Sequence, residues 1–315
     1  IIYIKHLKGA IQMIGDMQKW TPNVAGIIEH AREIHPKTEI ISRLVSGEIH
    51  RSNYEKVCIR SRKLASALEK DGVKKGDVIA TLALNTYRHL EMYYGISGMG
   101  AITHTLNFRL HPEQAVYIIN HAEDKIIFVE LPFVPILEAL QENLKTVEKY
   151  VVLCEVDEMP ETTLKNAISY EEYIQDGDEN YSWPTLEDDA ACALCYTSGT
   201  TGNPKGVLYS HKSNVIHAQA ALTAMTIKPD DTILMVVPLF HVLAWGIPYF
   251  GPMNGLKLVM PGMQMEGEPL FELIDQEDVT LAFGVPTIWM GLLAYCRDNN
   301  KTVSYTHLTL PTSSR

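Results

Sequence analysis

Short apolar runs alternate with helical patterns along most of this chain, and that alternation restricts its fold more than any other feature. Residues 78–84, 101–105, 126–129 and 150–154 read as strands. Helical patterns over 87–98, 112–121 and near 136–144 separate them. Strands this continuously apolar belong to a sheet covered on both faces, so an α/β fold of strand-helix layers is expected. The alternation resumes later, with strands at 190–196, 207–210, 232–237, 256–260 and 279–283. Helices are expected over 214–225, 269–276 and 287–297.

Ahead of this pattern, Thr21 and Pro22 predict a helix start, with Thr21 as N-cap and Pro22 in the first turn. Residues 40–50 read as a hairpin turning near Ser46 and Gly47. Ser52 and Glu55 have the spacing of a capping box for a helix ending at Gly72. The expected division is a first α/β subdomain over 13–154, an acidic connecting segment over 155–189 and a second α/β subdomain over 190–300. Residues 301–315 break from the preceding pattern and are expected to be a non-native tail.

The formal charge of −11 lies in one place. Residues 155–189 hold twelve acidic side chains and one basic one, Lys165, and the rest of the chain is balanced. That stretch is expected to be a solvated surface segment. No basic stripe exists to follow a nucleic-acid backbone, so nucleic acid is excluded as a partner. Five scattered cysteines in a chain of 315 residues point to a reducing, cytoplasmic setting. Cys192 and Cys195 form a lone C-x-x-C within an apolar run, as two core-facing thiols would. Between Asp231 and Lys257 no formal charge occurs, yet Pro238, Gly246, Pro248, Gly251 and Pro252 interrupt the run. A buried strand, a turn and a short helix are expected there, with no transmembrane segment.

The segment Tyr196 to Gly206, YTSGTTGNPKG, carries the chemistry. It follows an apolar strand and collects the hydroxyls of Thr197, Ser198, Thr200 and Thr201 with Gly199, Gly202, Gly206 and the cation of Lys205. Glycines allow close backbone approach to a ligand, and successive N–H groups form a nest for anions. Such a loop suits a nucleotide triphosphate. It is not a Walker A loop, because Lys205 stands between Pro204 and Gly206 and a strand follows rather than a helix. A polar turn joining two strands is the plain alternative, but hairpin turns usually need two to five residues.

This segment resembles the phosphate loop of the adenylate-forming superfamily, which includes acyl-CoA synthetases, peptide-synthetase adenylation domains and luciferases. Val237 to His241 (VPLFH), Gly284 to Trp289 (GVPTIW) and Leu208 to His211 (LYSH) are similar to further segments of that family. Asn85 to Leu90 (NTYRHL) and Tyr94 to Gly100 (YGISGMG) resemble its medium- to long-chain fatty acyl-CoA synthetase branch. The resemblance implies the large N-terminal domain of such an enzyme, truncated before the small C-terminal domain. It implies two steps: a fatty acid attacks the α-phosphate of ATP to give acyl-AMP and pyrophosphate, and the thiol of coenzyme A then displaces AMP. It implies Mg2+ on the phosphates, with Thr200 as a ligand. Residues Thr197 through Gly206, including Asn203 and Pro204, would contact nucleotide, and Lys205 would steady pyrophosphate. His241 would lie beside the reacting carboxylate. Trp245 would gate the acyl tunnel, and Gly284, Val285 and Pro286 would line the substrate site. Partners would be fatty acid, ATP and coenzyme A, leaving open peripheral membrane contact and a homodimer.

Three positions depart from the family pattern. Phe108 replaces a usual proline, Leu243 a usual polar residue, and Phe283 a usual small residue, where its bulk would narrow the acyl site. The Tyr-Gly-x-Thr-Glu and Thr-Gly-Asp motifs and the later catalytic lysine are missing, so the stretch alone is expected to be inactive. An enzyme adenylating another carboxylic acid, or a non-catalytic nucleotide-binding protein, are the competing readings. The charge-free surroundings of His241 favour an alkyl acid over an amino acid, whose ammonium group would want a carboxylate.

Overall fold

A computed structural model describes residues 20–197 and 203–302. The strands are β1 (Glu39–Arg43), β2 (Ile49–Asn53), β3 (Val78–Leu82), β4 (Ile102–Thr105), β5 (Ile126–Val129), β6 (Lys149–Val152), β7 (Ala167–Ser169), β8 (Ala191–Thr197), β9 (Lys205–Ser210), β10 (Thr232–Met235), β11 (Lys257–Met260) and β12 (Leu281–Phe283). The helices are α1 (Val24–Ile34), α2 (Tyr54–Lys70), α3 (Tyr87–Gly98), α4 (Pro112–Ala122), α5 (Val134–Leu140), α6 (Tyr170–Gln175), α7 (His211–Met225), α8 (Ile247–Asn254), α9 (Gly267–Gln276) and α10 (Pro286–Asp298). The alternation read from the sequence is therefore present, with boundaries moved by a few residues.

Two helix starts differ from expectation. Asn23, not Thr21, caps α1, its side chain accepting from the Gly26 N–H at 2.8 Å. Asn53 caps α2 by accepting from the Lys56 N–H at 2.9 Å, in place of the Ser52–Glu55 box. Both shifts have one cause. An N-cap needs extended backbone and a short side-chain acceptor. Asn53 meets that need as the last residue of β2, directly before the first helical residue Tyr54, while Ser52 stands one residue further back in the hairpin.

Sheet membership does not follow chain order. One sheet runs β12-β10-β11-β1-β2, and the other runs β7-β6-β5-β3-β4-β8-β9. The early hairpin thus joins late strands: β1 pairs with β11 in parallel, Ile41 opposite Val259. Conversely β8 lies against β4, with Thr103 opposite Ala193, and so extends the sheet of the first half. The expected boundary near residue 190 therefore cuts through a sheet. Only the edge strands β2 and β9 are antiparallel to their neighbours.

The acidic stretch is more than a solvated connector. It supplies edge strand β7 and helix α6, and it buries Leu164, Tyr170, Ile174 and Leu186. Glu171 takes a two-pronged ion pair from Arg60 at 2.8 and 2.9 Å. The Trp183 indole N–H donates to Glu29 at 2.6 Å across the face of the helices. Packing of the apolar members draws the segment down, and arginines on α2 and α3 neutralise part of its charge. No helix among the described residues is long and apolar enough to cross a membrane. The run from Asp231 to Lys257 forms β10, a turn and α8. All five cysteines are buried and free.

The two sheets meet at the carboxyl ends of their strands. Just beyond β3, Asn85 bridges to Gly262 beyond β11, and the Ser42 hydroxyl of β1 accepts from the Tyr87 N–H at 2.9 Å. In open α/β sheets the loops at carboxyl ends are where ligands bind.

Candidate active site

Strand β8 is buried from Cys192 to Cys195 and becomes exposed at Thr197, where the hydroxyl-rich loop begins. The chain returns along β9, which pairs Thr197 with Lys205 and Tyr196 with Gly206. Ser198, Gly199, Thr200, Thr201 and Gly202 lie outside the described residues. Asn203 is exposed and Pro204 half-buried, and Lys205 and Gly206 begin the strand, both exposed. Gly206 packs tightly: a Cβ there would stand 3.0 Å from Leu194 and 3.3 Å from the Tyr196 ring, so those side chains would have to give by a few tenths of an ångström. The hairpin therefore closes on residues able to donate to an anion, with the Lys205 cation at its exposed base.

Tyr196, immediately before the loop, is tied from the other side. His121 on α4 sits 2.6 Å from its hydroxyl, and the His104 ring centroid lies 5.2 Å from its own. His104 is buried, with Nδ1 against both carboxylate oxygens of Asp124 at 2.9 and 3.0 Å. Burial pushes the Asp124 carboxyl up, and His104 pulls it back.

The second element follows β10. His241 is exposed rather than buried in the core. The next four residues, Val242, Leu243, Ala244 and Trp245, all have positive φ, from 43° to 55°, and Gly246 continues at 83°. Left-handed backbone costs an L-residue about 1–2 kcal/mol, and it is a true outlier for a β-branched side chain. The turn survives because its neighbours hold it. Leu243 and Ala244 are buried, and the Ala244 N–H donates to the His241 carbonyl at 2.9 Å. Strain concentrated in this way is a feature of ligand sites.

The turn walls a cavity of about 410 Å3. Val242, Leu243, Trp245 and Gly246 form one side; Tyr209 of β9 and Ser213, Asn214 and His217 of α7 form the other. No lining residue carries a permanent charge, and the volume suits a small molecule. Trp245 is 39% exposed, so it stands at the rim rather than in the core. Lys205 and Tyr209 lie on one strand four residues apart, or about 13 Å at the rise of a β-strand. The phosphate-type loop and the cavity thus lie at opposite ends of β9.

Gly284, Val285 and Pro286 follow β12, beside β10. A Cβ on Gly284 would come within 2.7 Å of Val236, and the Trp289 indole N–H donates to its carbonyl at 3.1 Å. These residues abut the strand end that leads to His241 but do not line the cavity. Phe283 is half-buried and packs against the core around Met235, Val237 and Leu239. It too is outside the cavity lining. Phe108, the other aromatic departure, stacks on Phe133 at 4.7 Å and meets Phe240 edge-on at 4.9 Å, bracing the residue before His241.

The sequence reading missed Tyr209, Ser213, Asn214 and His217. A usable signal existed. Ser213, Asn214 and His217 recur at helical spacing, a polar stripe at the margin of the buried face of α7 in which Asn214 is buried and Ser213 and His217 are exposed. Asn214 is buried and donates to Cys192 Sγ at 3.1 Å. Among the described residues no group of three His, Cys, Asp or Glu side chains is placed to hold a metal.

The chain is 44% identical over 301 residues to a medium-chain-fatty-acid–CoA ligase of Ectopseudomonas oleovorans, covering 95% of this chain and 55% of that protein. It is 45% identical over 285 residues to a 3-methylmercaptopropionyl-CoA ligase of Ruegeria lacuscaerulensis, covering 90% and 53%. The chain thus spans about half the length of the curated relatives it matches. Its fold superposes on the crystal structure of a long-chain-fatty-acid-CoA ligase from Archaeoglobus fulgidus with a TM-score of 0.79, at 24% identity, over 94% of this chain and 59% of that one. Residues 28–311 match the sequence profile of the AMP-binding enzymes, and the chain belongs to that family.

Proposed function

We propose that the intact protein is an AMP-forming acyl-CoA ligase acting on a fatty acid. The observation that carries this reading is the single strand β9, which runs from Lys205 at the phosphate-type loop to Tyr209 at the wall of an uncharged cavity. An acid with its alkyl chain in that cavity would direct its carboxylate toward a nucleotide on the loop. In the first step a carboxylate oxygen bonds to the α-phosphorus of ATP as the bond to pyrophosphate breaks. In the second the sulfur of coenzyme A bonds to the acyl carbon, and AMP leaves.

The chain's own residues bind and orient. Thr197 and Lys205, with the loop between them, hold phosphate oxygens and offset their charge, where positioning and electrostatic stabilisation supply most of the rate. His241 is exposed, one residue before the cavity wall begins at Val242, where it would meet the carboxylate and the phosphate. Trp245 controls entry to the cavity. Mg2+ bound with ATP would offset phosphate charge, and one or two hydroxyl oxygens of the loop would suffice to hold it. The hydroxyls around Thr197 are of the right chemistry, and Thr200, the expected ligand, lies outside the described residues. The uncharged cavity favours an alkyl acid, and the reading extends to cytoplasmic work on soluble substrates.

The test is acyl-CoA formation by the intact protein over straight-chain acids from butyrate to palmitate, with 3-methylmercaptopropionate alongside. ATP- and CoA-dependent turnover of a fatty acid is expected. In Lys205→Ala the KM for ATP should rise about tenfold or more with the fold retained. Turnover confined to 3-methylmercaptopropionate would replace the substrate assignment. An unchanged KM in Lys205→Ala would remove the loop's role.

A further inference from the structure

The segment that carries His241 and Trp245 is held by a side chain far away in sequence. Asn85 stands just beyond β3 and is 2% exposed. Its amide nitrogen donates to the Met235 carbonyl at 2.7 Å and to the Val237 carbonyl at 2.8 Å. Its amide oxygen accepts from the Leu239 N–H at 2.8 Å. Both nitrogen contacts are to carbonyls and the oxygen contact is to an N–H, so the amide has one possible orientation. Its main-chain carbonyl accepts from the Gly262 N–H at 3.2 Å. One residue therefore ties the ends of β3, β10 and β11.

The chain leaves the ladder of β10 at Met235, and residues 235–240 run largely buried, with polar backbone groups that need partners. Asn85 supplies three. Tyr93 donates to the Leu239 carbonyl, and Thr105 donates to the Phe240 carbonyl at 3.3 Å. Of these clasps only Asn85 grips both sides of Pro238, and only a short amide can donate twice and accept once there. A carboxylate would set its charge against two carbonyl oxygens, and an apolar side chain would leave three buried groups unpaired. The left-handed turn begins three residues beyond Leu239, so the position of Leu239 determines where the cavity wall stands.

We propose that Asn85 is a positioning residue for the acyl substrate, holding residues 235–240 so that the Val242–Gly246 turn walls the cavity in register, with His241 directly before it. The kinetic part rests on the ligase reading above; the clasp itself does not.

Two measurements on the intact protein separate these. Hydrogen exchange followed by mass spectrometry reports the clasp without any turnover. In Asn85→Ala, peptides spanning 236–246 should exchange faster, while those spanning β5 and β6 should not change. Steady-state kinetics then report positioning: kcat/KM for the acid should fall about tenfold or more, with the KM for ATP within about twofold. Asn85→Asp keeps the acceptor for Leu239 and regains one donor when protonated. Its activity relative to wild type should therefore rise as pH falls from about 8 to about 6. If Asn85→Ala does not fold, the exchange and pH profile of Asn85→Asp decide. Unchanged exchange at 236–246 would overturn the clasp. Faster exchange throughout the molecule, or equal losses toward ATP and acid, would reduce Asn85 to a structural residue and overturn the proposal. A wild-type protein without turnover would defeat the ligase reading while leaving the exchange result standing.

Discussion

Gly246→Ala tests the left-handed turn and the cavity together. Gly246 has φ of +83°, and a Cβ built there would lie 2.5 Å from His217 Nδ1 and 2.6 Å from its Cε1. Real Cβ contacts are not that short, so something must move. The backbone term comes first: an L-residue in this region costs about 1–2 kcal/mol. The His217 ring is the free end of a side chain and can turn away, at a rotamer cost of about 0.5–1.5 kcal/mol. Against these, replacing glycine lowers the entropy of the unfolded chain and returns about 0.4–1 kcal/mol. The net expectation is a loss of about 1–2.5 kcal/mol, a few degrees in Tm for a domain of this size. The functional consequence follows from where the ring goes. His217 lines the cavity, and a ring displaced from Gly246 can move only into that space or toward the helix surface. The variant should therefore shift its preference toward shorter acids. Thermal melts of the intact protein and kcat/KM across the acid series are the assays. His217→Ala provides the control: combined with Gly246→Ala it should cancel the ring term and leave the backbone term, a coupling of about 0.5–1.5 kcal/mol. A Gly246→Ala protein with wild-type Tm and wild-type chain-length profile would refute both the positive φ and the contact with His217.

Two further expectations concern stability. Val242 has φ of +43° and is 48% exposed, so Val242→Gly relieves a left-handed β-branched residue while giving up little burial; a gain of about 1 kcal/mol is expected in denaturant titrations, and a loss would mean that the turn is not strained. His89 is buried between the Thr81 hydroxyl and the Leu84 carbonyl, each at 3.0 Å, and burial pushes its imidazolium down to about 4. The unfolded chain takes up a proton below about 6.5 and the folded one does not until about 4, so stability is full above 6.5 and falls as pH drops through that window, by on the order of 3 kcal/mol. A His89→Gln variant should lose much of that slope, and an undiminished slope would place the titration elsewhere.

Much of the site was legible in the residues themselves. A run of hydroxyls and glycines ending in Pro204 and Lys205 has few uses other than gripping an anion, because backbone freedom and donor density are properties of the residues alone. The helix over Tyr87–Gly98 and the strand over Ile126–Val129 were likewise readable to the residue, since the local run of apolar residues and the polar residues that punctuate it mark where a buried element starts and stops. What periodicity does not record is the partner. A four- or five-residue apolar strand is compatible with either sheet, and β1 chose β11, across some two hundred residues, on register and packing rather than on any local code. The same holds for Asn85, His217 and the turn at Val242–Trp245. Each is unremarkable in sequence and acquires its role from atoms brought near by the fold: a pair of carbonyls, a glycine without a side chain, a wall of buried neighbours strong enough to hold left-handed backbone. The sequence by itself determined the α/β elements and the chemistry of the phosphate-type loop, because both depend on residues close together in the chain. Only the tertiary structure decided how the two sheets share their strands and what shape of cavity forms at the far end of β9, because both depend on contacts between residues far apart in it.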